Sequence, residues 1–211
     1  MKILLLGATG MVGSAIAAEA AARGHDVTCV SRSGEAPVPG VTSIAADATD
    51  GSRVAALAAG HDAMASALVP LRDGSDPKEP FLALNRALVE AARTAHVSRM
   101  VVVGGAGSLE VAPGEALADQ PGFPAEILGE ALAHRDVLAF FRTVDDLDWT
   151  YVSPAAEITS GERSGNYRVG GDQLLSDDEG RSRIGIGDYA AAFMDELESN
   201  AHPRTRISVA Y

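Results

Sequence analysis

Gly7-Ala8-Thr9-Gly10-Met11-Val12-Gly13 is the stretch whose reading decides the fold. Before it, Lys2-Ile3-Leu4-Leu5-Leu6 is an apolar run of strand length. After it, Ser14 to Arg23 is alanine-rich and of helical length. Strand, glycine turn and helix in that order is the setting in which a glycine fingerprint marks a dinucleotide site. Each glycine has its own task. Gly7 turns the chain sharply off the strand. Gly10, lacking a Cβ, lets the backbone approach a pyrophosphate. Gly13 lets the helix pack closely on the strand. The free N–H groups and positive dipole end of the helix then face the phosphates.

The 211 residues suit one domain with a sizeable core. Apolar residues make up 46% and charged residues 22%, the balance of a globular protein. A formal charge of −12 argues against nucleic acid or an anionic membrane as partner, since phosphate surfaces attract basic ones. Cys29 is the only cysteine, so no intrachain disulfide forms, and its strand-like surroundings suit a buried thiol. No secretory leader or membrane-length segment is apparent, and a cytoplasmic location is expected. No metal site is expected.

Helix one stops at Arg23-Gly24. Strand two, Asp26 to Val30, ends at Ser31-Arg32-Ser33. An acidic residue at this point accepts hydrogen bonds from a ribose 2′-hydroxyl, whereas an arginine accommodates a 2′-phosphate. Arg32 has no acidic neighbour, which favours NADP(H), with NAD(H) as the alternative. Val41 to Ala46 reads as strand three, followed by Asp47-Ala48-Thr49-Asp50. Asp47 falls at an adenine-side contact, and Asp50 caps a helix over Ser52–Ala59. His61 reads as a surface turn residue. In strand four, Ala63 to Leu68, the small residues Ala65, Ser66 and Ala67 let a cofactor lie across the strand's carboxyl end. Pro70 to Pro80 is a polar loop at the functional edge of an open sheet.

Phe81 to Ala95 is a helix, and Met100 to Val103 an apolar strand suited to burial on both faces. Gly104-Gly105-Ala106-Gly107-Ser108-Leu109 follows, and its glycines suggest close approach of backbone to the nicotinamide half of the cofactor. A helix from Pro124 to about Thr143 has Pro124 at its first position. Leu128, Ala131, Leu132 and Leu138 face inward, and His134 reads as a solvated helix histidine. Strand six, Trp149 to Val152, ends at Ser153-Pro154-Ala155-Ala156. Tyr167 to Asp172 looks like a short hairpin, Asp188 a cap for a helix Tyr189–Leu197, and Arg206 to Ala210 a last strand. The alternation predicts an α/β fold: a Rossmann-type doubly wound parallel sheet over 1–211 as a single domain, with substrate-side insertions mainly at 153–185. The predicted cofactor contacts are Gly7 to Val12, Ser31 to Ser33, Asp47, Ala48, Ser66 to Leu68, Val103 to Gly105, and Pro154 to Ala156.

The glycine turn resembles the G-x-x-G-x-x-G of atypical and extended short-chain dehydrogenases, and Asp148-Trp149-Thr150-Tyr151-Val152-Ser153-Pro154 is similar to their DWTxxxP strand. Val103 to Leu109 and Gly170-Gly171-Asp172 resemble a bacterial subgroup named NADH-flavin reductases, related to biliverdin/flavin reductases and NmrA-like proteins. The resemblance implies a cofactor-binding oxidoreductase and places Ser108 at the family's post-strand serine, a candidate catalytic hydrogen-bond donor. The familiar short-chain mechanism pairs a tyrosine with a lysine four residues on. Here the lysines are Lys2 and Lys78, and four residues after Tyr151, Tyr167 and Tyr189 stand Ala155, Gly171 and Phe193. The pair is absent. Hydride transfer to a small-molecule flavin or quinone demands less of an acid, because stacking supplies the proximity. A reductase of planar acceptors is therefore the first reading, a non-catalytic NADP(H)-sensing regulator the second, and an epimerase or dehydratase the third.

Overall fold

The computed structural model describes residues 1–211. In chain order the elements are β1 (Lys2–Leu6), α1 (Met11–Ala22), β2 (Asp26–Ser31), β3 (Thr42–Ala45), α2 (Gly51–Ala58), β4 (Ala63–Ser66), α3 (Lys78–Thr94), β5 (Arg99–Val103), β6 (Glu110–Ala112) and β7 (Glu115–Ala116). There follow α4 (Ala125–Phe141), β8 (Asp148–Pro154), β9 (Glu157–Thr159), β10 (Arg168–Gly170), β11 (Arg183–Gly185), α5 (Ile186–Ser199) and β12 (Thr205–Ala210). Eight strands form one sheet in the order β10-β12-β8-β5-β4-β1-β2-β3. Every pairing within it is parallel except β10 with β12. The order reverses between β1 and β4, the switch point at which open α/β sheets bind ligands.

Strand alternation divides the core into two layers. Ile3 and Leu5 of β1 face α1 and α5, in one cluster of 25 buried residues. Leu4 and Leu6 face α2, α3 and α4, in a second cluster of 23. With both faces covered, the central strands need no polar side, and β1, β4 and β5 read as near-continuous apolar runs. Helix α1 buries Gly13, Ile16, Ala17 and Ala20, the i, i+3, i+4, i+7 stripe of a helix packed along one line.

The three glycines of the opening turn divide their work as their spacing suggests. Gly7 has φ +77°, in the left-handed region, and a Cβ there would come within 2.7 Å of the Ala67 carbonyl oxygen. A Cβ on Gly13 would overlap the Gly7 carbonyl. A Cβ on Gly10 would meet nothing nearer than the Gly7 oxygen at 3.6 Å.

The second half departs from expectation in three places. Tyr167–Asp172 is not a hairpin. Val169 instead pairs with Val209 of β12, because the sheet edge offers a longer ladder than a local turn does. Asp188 does not cap α5, which begins two residues earlier behind Gly185. Its buried carboxylate accepts hydrogen bonds from the Ser164 and Gly165 amides and from the Ser164 and Tyr211 hydroxyls. Pro124 is the N-cap of α4, extended at ψ 122°, one position before the first helical residue. Asp50 does cap α2, accepting from the Arg53 amide at 3.0 Å.

A buried ion pair locks α5 to the sheet. Arg99 Nη2 lies 2.9 Å from Glu196 Oε1, and Nη1 donates to Thr150 Oγ1 and to the Asp148 carbonyl. The His202 amide and ring also hydrogen-bond the Glu196 carboxylate.

Gly13→Ala is expected to destabilise the fold by roughly 3 kcal/mol, since its Cβ meets immovable backbone. Gly10→Ala should change stability by less than about 1 kcal/mol. Urea unfolding of both variants checks the contrast; equal losses would refute the division of roles.

Candidate functional site: a cleft at the switch point

The carboxyl ends of β1, β4, β5 and β8 border a cleft of about 460 Å³. One wall is the first turn of α1. Its N-cap, Gly10, has no side chain to satisfy the leading N–H groups, and no acidic residue sits in that turn. Unpaired amides, a positive dipole end and open space over Gly10 together form a cradle that fits a pyrophosphate.

Of the cofactor contacts expected from sequence, Gly10, Met11, Val12, Ala67, Val103, Gly104, Gly105, Pro154, Ala155 and Ala156 line this cleft. Gly7, Ala8 and Thr9 form the turn that leads into it, while Ser66 and Leu68 lie on and just beyond β4 without lining it. Ser31, Arg32, Ser33, Asp47 and Ala48 lie outside it, around the ends of β2 and β3. There Ser31 Oγ accepts from the Gly34 amide, and Arg32 and Ser33 are exposed. Asp47 accepts from the Thr49 amide at 2.9 Å and the Thr49 hydroxyl at 2.8 Å. Those bonds, helped by the charge of Arg32, hold its carboxyl below the ordinary range.

The glycines after β5 line the cleft and also make room for the protein's own side chains. A Cβ on Gly104 would overlap the Tyr151 ring, and one on Gly107 would lie 2.6 Å from Ala131 Cβ. One on Gly105 would lie 3.0 Å from His134 Cβ. These vacancies are filled by the protein's own side chains.

His134 is the largest correction. It is 5% exposed, not solvated, and it lines the cleft from α4. Its Nδ1 lies 2.9 Å from the Tyr151 hydroxyl, and its ring meets Phe81 edge-on at 4.9 Å. Burial pushes its pKa down to about 4, so the ring is uncharged near neutrality. Burial likewise raises Tyr151, which stays a phenol. The signal was in the sequence: Ala131, His134, Leu138 and Phe141 fall at i, i+3, i+7 and i+10, on the stripe that α4 turns inward.

Ser108 is a second correction. It does not line the cleft, and its Oγ accepts from Arg206 at 3.3 Å. Arg206 is itself paired with Asp172, a carboxylate that Arg142 shares. Ser108 thus belongs to the packing of β12 against the loop after β5.

The outer wall comes from segments that read only as loop and helix start: Val69, Leu117, Phe123 and Ile127. Across it runs a bidentate ion pair, Arg72 to Glu130, at 2.8 and 3.0 Å. From the stretch 153–185, only Pro154, Ala155, Ala156 and Ile158 reach the cleft.

The sheet order, the glycine turn and the pyrophosphate cradle at the switch point define an NAD(P)H-binding Rossmann protein. The chain belongs to the NAD(P)H-binding family, whose profile it matches over residues 7–197. It is similar to a Burkholderia pseudomallei protein described as a candidate exported protein, with 50% identity and a TM-score of 0.90 over 100% of both chains. A Bacteroides thetaiotaomicron protein described as a candidate epimerase is 36% identical, with a TM-score of 0.90 over 100% of this chain and 96% of that one. A Streptococcus pneumoniae protein described as a candidate NADH-flavin reductase is 34% identical, with a TM-score of 0.84 over 100% and 99%. No helix is long and apolar enough to cross a membrane.

A histidine whose pKa falls from 6.5 to about 4 on folding binds fewer protons folded than unfolded between those values. Its contribution is therefore present above pH 6.5 and lost as pH falls toward 4. His134→Gln should lessen this acid destabilisation by on the order of 3 kcal/mol at the bottom of the window. Urea unfolding of both proteins across the window measures it; identical slopes would show the ring to be charged or exposed.

Proposed function

We propose that this protein is an NADPH-dependent reductase that passes hydride to a flavin, quinone or similar planar small molecule. One observation carries the reading: the cleft is largely apolar and holds no free acid. Its only ionisable lining groups are Arg72 and Glu130, which neutralise each other, and the uncharged His134. Reduction of a simple ketone needs a proton at the developing alkoxide, a task worth ~10²–10⁴-fold in rate. A ring that spreads charge over its own π-system needs less.

The first turn of α1 and the Gly7–Val12 loop hold the pyrophosphate, and Arg32 takes the 2′-phosphate. When bound, the reduced nicotinamide supplies the hydride. The chain's own residues do the rest. Val103, Ala155 and Met11 offer apolar walls to a flat ring and exclude water. Phe123 and Ile127 close the outer side, and solvent supplies the proton after the ring has been reduced. The name borne by the Streptococcus pneumoniae relative supports a flavin as acceptor. An NADPH-consuming enzyme needs a compartment that regenerates its cofactor, which supports a cytoplasmic location.

NADPH is expected to bind more tightly than NADH by about 1.5–3 kcal/mol, the value of a charge-assisted hydrogen bond. Arg32→Glu should abolish that preference in a titration of both nucleotides. A wild type preferring NADH would remove Arg32 from its assigned role. Gly10→Val should leave the circular dichroism spectrum native, since Gly10 has φ −74° and ψ 167° and open space around it. The same variant should lose the thermal shift that NADPH produces. NADPH oxidation is then followed with flavins, quinones, ketones and aldehydes. Rapid turnover of ketones would sink the planar-acceptor reading, and tight NADPH binding with no turnover of any acceptor would make the protein a cofactor sensor.

A further inference from the structure

The inner wall of the cleft carries one polar atom that the mechanism above leaves unused. His134 Nε2 has no hydrogen-bond partner in the protein, yet it is not among the polar atoms sealed in the interior without one. It opens onto the cleft. The ring around it is fixed on three sides. The Phe81 ring meets it edge-on at 4.9 Å, the imidazole Cγ and Cδ2 pack against Gly105, where an added Cβ would come within 3.1 and 3.3 Å of them, and Tyr151 lies 2.9 Å from Nδ1.

The Tyr151 hydroxyl lies within hydrogen-bond reach of two His134 atoms, the carbonyl oxygen at 3.0 Å and Nδ1 at 2.9 Å. With the phenol's one proton on the carbonyl bond, its oxygen accepts from Nδ1, and this assignment makes Nδ1 the donor. A neutral imidazole also has one proton, so Nε2 presents a lone pair. The groups facing the ring agree with the neutral form. Glu130 on the same helix would favour a cation, Arg72 opposes it, burial outweighs both, and Tyr151 and Phe81 bring no charge.

We propose that His134, held in this tautomer by Tyr151, selects the acceptor: its Nε2 accepts a hydrogen bond from an imide N–H on a flat ring, so the cleft takes isoalloxazines in preference to quinones. A quinone presents only carbonyl oxygens and would set lone pair against lone pair. An isoalloxazine carries an N–H between two carbonyls at the edge of an otherwise apolar ring. His134 is then a residue that touches the substrate, and Tyr151 a positioning residue that acts through it. The inference rests on the reductase reading for its acceptor, but its test does not depend on turnover.

The probes are lumiflavin and N3-methyllumiflavin, which differ only in that N–H. Each is titrated into protein saturated with NADP⁺, with the imidazole nitrogens followed by ¹⁵N NMR and His134 assigned by its loss in His134→Leu. Nδ1 should be protonated and Nε2 bare, and the Nε2 signal should move with lumiflavin but not with NADP⁺ alone. Lumiflavin should bind about tenfold more tightly than its methyl derivative, the value of one buried hydrogen bond. In Tyr151→Phe the tautomer is no longer imposed, and the ratio should shrink to about twofold while NADP⁺ affinity is unchanged. A role for Tyr151 in packing alone would not move the tautomer.

Equal affinity for the two flavins, a protonated Nε2, or a signal that responds to NADP⁺ alone would each overturn the proposal; in the last case the N–H is the cofactor's own carboxamide. If NADPH reduces neither flavin while the binding ratio holds, the reductase reading falls and the assignment of His134 stands.

Discussion

The fold turns on a contact made without side chains. The carbonyl of Gly7 lies where a side chain at Gly13 would be, so the first turn of α1 rests on the backbone at the end of β1. On the other side Gly7 closes against the carbonyl of Ala67 beyond β4. Three segments therefore meet at the switch point too closely for any side chain to stand between them. This brings the leading amides of α1 to the mouth of the cleft. The two apolar layers, with Leu4 and Leu6 on one side and Ile3 and Leu5 on the other, hold that contact in register.

Buried charge is handled differently at the two ends of the sheet. At the amino end, Arg99 and Glu196 are taken out of water together and joined by Thr150 and His202, so removing one partner would strand the other at a penalty of about 3–5 kcal/mol. At the carboxyl end, His134 is buried alone, and the ring gives up its charge instead. One arrangement makes a structural rivet. The other makes a neutral polar surface facing the ligand space.

What the sequence revealed depended on how local its cause was. The strand-turn-helix unit around Gly7–Gly13, the alternating core strands and the cap at Asp50 are set by neighbours a few positions apart, and all were legible. The edge strand Arg168–Gly170 was not, because its partner Val209 lies far along the chain. Asp188 was misread for the same reason: the amides it serves belong to Ser164 and Gly165. The glycines at 104, 105 and 107 signalled close approach, but not of what. Only the folded chain shows that Tyr151, His134 and Ala131 occupy the space. The first turn of α1 and the ends of β4, β5 and β8 could be foreseen as cleft. The wall from Leu117 to Phe123 could not, since irregular segments carry no periodicity that says which way they face.

The interlock of Gly104 with the Tyr151 ring bears on how such a site can drift over generations. Neither residue can change first without loss: a side chain at 104 collides with the ring, and a smaller residue at 151 opens a void beneath the cleft and frees the imidazole above it. A change at either position thus bears directly on the other. A smaller residue at 151 would leave room at 104 and release the imidazole from its hydrogen bond, so one substitution within a buried strand reaches the wall of the cleft.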